Sequence, residues 1–151
     1  MVSLIIPVYK NEANLDRLLP ALLDLSAKSP QPMEVIFVID GSPDRCEEIL
    51  RQRLPGLALR SRLLVLSRNF GSSAAVAAGL HAGKGDYFTV MAADLQEPPS
   101  LTLESLECLC AGRADVQAAA PHKIERPKRE TRVSVGCVSF MVVCPAPSSL
   151  I

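Results

Sequence analysis

Tryptophan is absent, and aromatic residues make up only 4% of the 151-residue chain. Leu, Val, Ile and Ala must therefore fill the core of what, at this length, is one domain. An excess of charge is missing too, since 16 Lys and Arg balance 16 Asp and Glu. A balanced chain has no global basic field, so nucleic acid is not an expected partner, and no acidic excess argues for disorder. No apolar run approaches the roughly 20 residues of a membrane-spanning helix. The opening MVSLIIPVYKNE lacks a basic start and meets Pro7 early, so it is not expected to act as a signal peptide. The five cysteines (Cys46, Cys108, Cys110, Cys137 and Cys144) form no C-x-x-C, and His81 and His122 do not cluster with them. A structural zinc site is therefore not expected, and reduced thiols in a cytoplasmic protein are. There is no G-x-G-x-x-G after the first apolar run and no P-loop, which ranks an ordinary Rossmann-type nucleotide domain low.

What is present is a regular alternation. Ser3 to Val8 reads as a buried strand closed by Pro7, and Asn11 as the N-cap of a helix through about Leu25. Leu15, Leu18, Leu19, Leu22 and Leu23 share one face of that helix. Glu34 to Ile39 is a second strand, followed by Ser42 as N-cap and Pro43 at the first helical position. Leu63 to Leu66, Ser73 to about Ala82, and Tyr87 to Met91 continue the series as strand, helix and strand. Pro98-Pro99-Ser100 opens a helix through about Ala111, and Ala114 to Ala118 begins a fifth strand. Four strand–helix units with short connections predict an α/β fold with a mostly parallel sheet and helices on both faces.

In such sheets ligands bind at the C-terminal ends of the strands. Pro7-Val8-Tyr9-Lys10-Asn11-Glu12 ends the first strand, where an aromatic ring and a carboxylate can meet a base. Taken alone, Asn11 and Glu12 are better read as merely favouring the start of a helix. Asp40-Gly41-Ser42 ends the second: Asp40 can accept from a base or ribose, and Gly41 lets backbone approach a ligand, but these are also common turn residues. Arg68, in Ser67-Arg68-Asn69-Phe70-Gly71, can pair with phosphate or stay solvated. Asp94 and Gln96, in Ala93-Asp94-Leu95-Gln96, offer hard oxygens suited to Mg²⁺ or Mn²⁺, or a cap for the next helix. The joint pattern decides: four consecutive strand ends each carry a polar candidate at one edge of the sheet.

The segments SLIIPVYKNEANL, EVIFVIDGSPD, LSRNFGSSAAVAAGLHAGKGDYFTVMAADLQEPP and GRADV resemble family 2 glycosyltransferases of the GT-A fold. Within that family they are similar to the polyprenyl-phosphate sugar transferases, the dolichyl-phosphate mannose synthase and undecaprenyl-phosphate glycosyltransferase type. The resemblance spans residues 3–116. SRNFG followed by ADLQEPP at this distance is its specific part; DGS alone is not. It implies a nucleotide-sugar donor, a UDP- or GDP-sugar, and a polyprenyl phosphate acceptor, joined with inversion at the anomeric carbon. Pro7, Tyr9, Glu12 and Asp40 would hold base and ribose, with Arg68 a further substrate-binding candidate. Asp94 would be the catalytic residue, and Asp94 and Gln96 would contact a Mg²⁺ or Mn²⁺ ion bridging the diphosphate. The full-length family works at the cytoplasmic membrane face, a peripheral association expected to be weak or absent here.

Two residues depart from the family. Ala92 stands where an acidic residue commonly precedes the metal-binding Asp by two positions, so metal affinity is expected to be weaker. Ile39 replaces an Asp or Asn common before D-G-S. Residues 1–116 thus read as the nucleotide-sugar-binding part of the domain, and 117–151 as an atypical tail. A frameshift or altered splice would account for that tail, and reading the coding DNA in its other two frames tests this. A divergent native ending is the alternative. Its basic run (Lys123, Arg126, Lys128, Arg129, Arg132) would touch anionic lipid or stay solvated and disordered, and VSVGCVSFMVVC would pack as an edge strand or aggregate. Loss of the acceptor half would expose a sheet edge and lower stability, leaving impaired transfer or a nucleotide-sugar-binding fragment without catalysis.

Overall fold

The computed structural model describes residues 1–110, 116–119 and 140–143. Its elements follow the expected alternation: β1 (Val2–Val8), α1 (Leu15–Lys28), β2 (Met33–Asp40), α2 (Cys46–Arg53), β3 (Ser61–Leu66), α3 (Ser72–Ala82), β4 (Tyr87–Met91), α4 (Pro99–Cys110), β5 (Val116–Ala119) and β6 (Phe140–Val143). They form one sheet in the order β3-β2-β1-β4-β6-β5. The first four strands run parallel, with Ile5 of β1 beside Ile36 of β2 and Val90 of β4. β6 runs antiparallel to both β4 and β5.

Alternation along the strands divides the core in two. Leu4, Ile6 and Val8 of β1 join Val35, Phe37 and Ile39 of β2 on the face covered by the buried leucines of α1, Cys46 and Leu50 of α2, and Leu106 of α4. Ile5, Ile36, Val38 and Val90 face Ala75, Val76, Ala78 and Leu80 of α3. Small residues let α3 approach the sheet: a Cβ on Gly79 would lie 2.4 Å from Cγ2 of Ile5. Glu34 and Asp40, even-numbered like Ile36 and Val38, fall on this α3 face.

Three expectations are corrected. The first helix does not start from an Asn11 cap: a 3-10 turn over Glu12–Asn14 precedes α1, and the Asn11 side chain instead accepts from Tyr9 N–H at 3.1 Å. Leu23 packs against the same core as the other leucines, and Leu25 adds to the fully buried face. α2 begins three residues after Pro43, because the Ser42 hydroxyl donates to Asp44 and Asp44 accepts from Cys46 N–H. The apolar run near the end also takes a different place. Its Phe140–Val143 portion lies inside the sheet, so β4 is not an open edge and β5 takes the outer position. Apart from β5 and β6, residues 111–151, including the basic run, lie outside the described residues. No helix among the described residues is long and apolar enough to cross a membrane.

Candidate active site

The loops after β1, β2, β3 and β4 surround a cleft of about 240 Å³ at the C-terminal edge of the sheet. Pro7, Tyr9, Asp40 and Asp94 line it together, with Asn11, Asn69, Gly71, Ser72 and Ala92 beside them. Glu12, Arg68 and Gln96 do not line it.

The first loop turns at Lys10, whose φ of +55° is uncommon for a residue with a side chain. That turn leaves the Tyr9 ring 41% exposed at the cleft, with the Lys10 ammonium 5.2 Å from its centroid. Lys10 N–H donates to Ser42 Oγ at 2.7 Å, and Glu12 N–H donates to Asp44 Oδ2 at 3.1 Å. The Glu12 carboxylate turns away to accept from Arg45 N–H and Nε, at 3.0 and 3.1 Å. These bonds, the backbone one foremost, hold the Glu12 carboxyl below the usual carboxylate range. Burial pushes the Asp44 carboxyl up, but the donors around it (Ser42, Cys46 and Glu12 N–H) outweigh burial and keep it low.

The second and third loops are joined in the same way. Asp40 is 3% exposed; Oδ1 accepts from Phe70 N–H at 2.7 Å and Oδ2 from Gly71 N–H at 2.9 Å. Gly41, at φ +58°, lies so close to the Arg68–Asn69 peptide that a Cβ would sit 2.3 Å from it. What approaches the Gly41 backbone is thus another loop, where the sequence suggested a ligand. Arg68 is exposed, its guanidinium 4.7 Å from the centroid of the Phe70 ring, which is itself 48% exposed.

The fourth loop carries Asp94. Leu95 has φ +55°, and the turn lets Gln96 N–H donate to Asp94 Oδ1 at 3.2 Å. Glu97, which sequence reasoning passed over, lies near enough to feel the Asp94 charge. Burial and then that charge push its carboxyl up, and its buried Oε2 has no hydrogen-bond partner among the described residues. No three His, Cys, Asp or Glu side chains converge as a metal cluster among the described residues. The donor set still fits a hard cation held jointly with a ligand. Asp94 and Glu97 offer carboxylate oxygens, Gln96 an amide oxygen, and Mg²⁺ is commonly bound by one or two carboxylates plus substrate phosphates. Ala92 contributes no donor at the cleft.

Sequence reasoning missed Asn11 as the support of the Tyr9 turn, and Ser72 and Gly71 as cleft wall. No turn signature pointed to the first, because the Asn11 side chain accepts from the N–H two residues before it, the reverse of an Asx-turn.

The family model "Glycosyl transferase family 2" matches residues 3–136, twenty residues beyond Val116. An uncharacterised glycosyltransferase of Bacillus subtilis, YkcC, is 37% identical over 105 residues, covering 70% of this chain and 32% of that protein. An undecaprenyl-phosphate 4-deoxy-4-formamido-L-arabinose transferase of Edwardsiella ictaluri is 38% identical over 98 residues, covering 65% and 30%. The chain thus spans about a third of the length of these curated relatives. Among solved structures, the mannosyltransferase PcManGT of Pyrobaculum calidifontis, in complex with GDP-Man and Mn²⁺, superposes with a TM-score of 0.64 at 18% identity, over 80% of this chain and 35% of that one. TarS of S. aureus in complex with UDP-GlcNAc gives 0.61 at 20% identity, over 83% and 37%. At these identities the two structures establish a shared GT-A fold.

Proposed function

This chain belongs to glycosyl transferase family 2, and from that premise we propose that the protein moves a sugar from a UDP- or GDP-sugar to a polyprenyl phosphate. The observation that carries this reading is the meeting of Pro7, Tyr9, Asp40 and Asp94 in one cleft. At about 240 Å³ the cleft is smaller than the roughly 300–1,000 Å³ pockets that enclose whole ligands, so it receives part of the donor. Pro7 and Tyr9 form the wall for base and ribose, with Asp40 behind it. Arg68 on the rim meets the diphosphate. Glu12, committed to Arg45, supports the first loop. Asp94 and Gln96, with Glu97 beside them, hold Mg²⁺ or Mn²⁺, which when bound offsets the charge of the diphosphate and of the departing nucleotide. An oxygen of the acceptor phosphate attacks the anomeric carbon from the face opposite the donor diphosphate. That C–O bond forms as the bond to the nucleoside diphosphate breaks, with inversion. The acceptor is already anionic, so no strong base is needed to remove a proton.

The names of the undecaprenyl-phosphate relatives support the acceptor class, and the GDP-Man and UDP-GlcNAc complexes support the donor class. Mn²⁺ in the mannosyltransferase complex supports the metal. The reading includes peripheral contact with the cytoplasmic membrane face, where the acceptor resides. A second reading is favoured by the 30–32% coverage of the relatives: residues 1–116 bind the donor, and these 151 residues alone do not transfer it.

Calorimetric titration with UDP-glucose, GDP-mannose, UDP and GDP, with and without Mn²⁺, tests donor binding, with Asp94→Ala as control. Metal-dependent binding that Asp94→Ala abolishes is the expected result. Radiolabelled transfer to undecaprenyl phosphate separates the two readings. No nucleotide binding under any condition would sink both.

A further inference from the structure

We propose that Asp40 is a positioning residue: its carboxylate builds the cleft wall formed by residues 69–72 and acts on the donor through that wall. This role refines the donor-site reading of the cleft and rests on it only for its ligand arm.

Three observations converge. Each Asp40 oxygen already accepts a backbone N–H, from Phe70 at 2.7 Å and Gly71 at 2.9 Å, while the side chain is 97% withdrawn from solvent. Gly41 independently seats the same loop, since any side chain there would collide with the Arg68–Asn69 peptide at 2.3 Å. The N-cap of α3 is Gly71, which offers no side-chain acceptor, so the Asp40 carboxylate supplies the negative charge that the start of this helix favours. Strand parity forces the arrangement: Asp40 ends β2 on the α3 face, beside the loop that enters α3. Asn69, Gly71 and Ser72 are the parts of that loop that line the cleft. A carboxylate so engaged fixes where those groups stand.

The test compares Asp40→Asn and Gly41→Ala with the wild-type chain by site-resolved amide hydrogen exchange and by titration with UDP and GDP in the presence of Mn²⁺. In the wild type, the Phe70 and Gly71 amides are expected to be protected before nucleotide is added, and no further afterwards. Asp40→Asn keeps the shape but can accept at only one oxygen, so exchange at Phe70 and Gly71 should accelerate locally, with the β1 and β2 amides unchanged. UDP and GDP should then weaken by the same factor, about tenfold for one lost charge-assisted bond. Gly41→Ala should reproduce both effects with Asp40 intact. A change in the UDP-to-GDP ratio, or weakened binding with Phe70 and Gly71 still protected, would overturn the proposal in favour of direct contact. Amides protected only after nucleotide addition would overturn it without any variant. A wild-type chain that binds neither nucleotide defeats the donor-site reading alone, because the exchange measurement still decides the positioning role.

Discussion

Burial and a hydrogen bond to Asp44 Oδ2 push the Cys46 thiol up to about 12. A thiol that stays protonated at neutral pH is a poor nucleophile. Under native conditions Cys46 is therefore expected to remain unmodified by iodoacetamide while the partly exposed Cys108 reacts, as peptide mass mapping would reveal. Alkylation of both at equal rates would contradict the buried position. Ala92 carries the opposite expectation, of function gained. It lines the cleft two residues before Asp94 and brings no donor. Ala92→Asp should tighten Mn²⁺ binding in the presence of UDP by about tenfold, or ~1.4 kcal/mol, measured calorimetrically. Unchanged affinity would mean that side chain 92 does not reach the ion. The candidates themselves were legible to different degrees. Tyr9 and Asp94 follow short apolar runs that read as buried strands, and both reach the cleft. Glu12 was equally conspicuous, but its side chain meets Arg45, 33 residues away, a contact that spacing along the chain cannot foretell.

Among the elements, α3 depends most on its partners. Its small side chains bury little area, and it is held at both ends by carboxylates of β2: Asp40 at its start, Glu34 just past its end. Glu34 is 2% exposed and accepts from Ser3 Oγ at 2.6 Å, Lys84 N–H at 2.7 Å and Arg62 at 2.9 Å. Burial pushes its carboxyl up, but these three donors outweigh burial and leave it below its ordinary value of 4.5. A carboxyl lowered by folding contributes stability that is complete above the unfolded value and is lost as pH falls through the folded one. The urea midpoint should thus decline below about pH 4.5. Glu34→Gln should flatten that decline and cost about 1–3 kcal/mol at pH 7 by leaving donors poorly paired. A variant with wild-type acid sensitivity would discount Glu34. Gly79 tests the other side of the same helix. Alanine gains about 1 kcal/mol of helix propensity, but its methyl group meets the buried Ile5 at 2.4 Å. Overpacking of this kind costs roughly 1–3 kcal/mol, so Gly79→Ala is expected to be net destabilising by about 1 kcal/mol in urea melts.

At the scale of the molecule, the first three loops form one rim through Lys10–Ser42, Glu12–Asp44 and Asp40–Phe70 contacts. The Asp94 loop is closed by its own internal hydrogen bond, from Gln96 N–H to Asp94. A ligand spanning both should therefore stabilise the whole fold. With UDP and Mn²⁺ at about a hundred times the dissociation constant, the linkage gain is ~2.7 kcal/mol. For a chain of this size that corresponds to a Tm rise of roughly 5–10 °C by scanning calorimetry. Asp94→Ala should lose the Mn²⁺-dependent part of the rise; an identical rise in the variant would remove Asp94 from metal binding.

The order of elements, the parallel start of the sheet and the family were legible from residue order alone, because hydrophobic period and turn chemistry are local properties. The specific pair SRNFG and ADLQEPP added the family in the same one-dimensional way. Tertiary structure alone decided what each polar side chain meets. Asp40 reaches Phe70 and Gly71, Glu34 reaches Lys84, and β6 pairs beside β4, across separations of 30, 50 and about 50 residues. Such partners are chosen by strand parity and sheet order, and neither exists until the chain has folded.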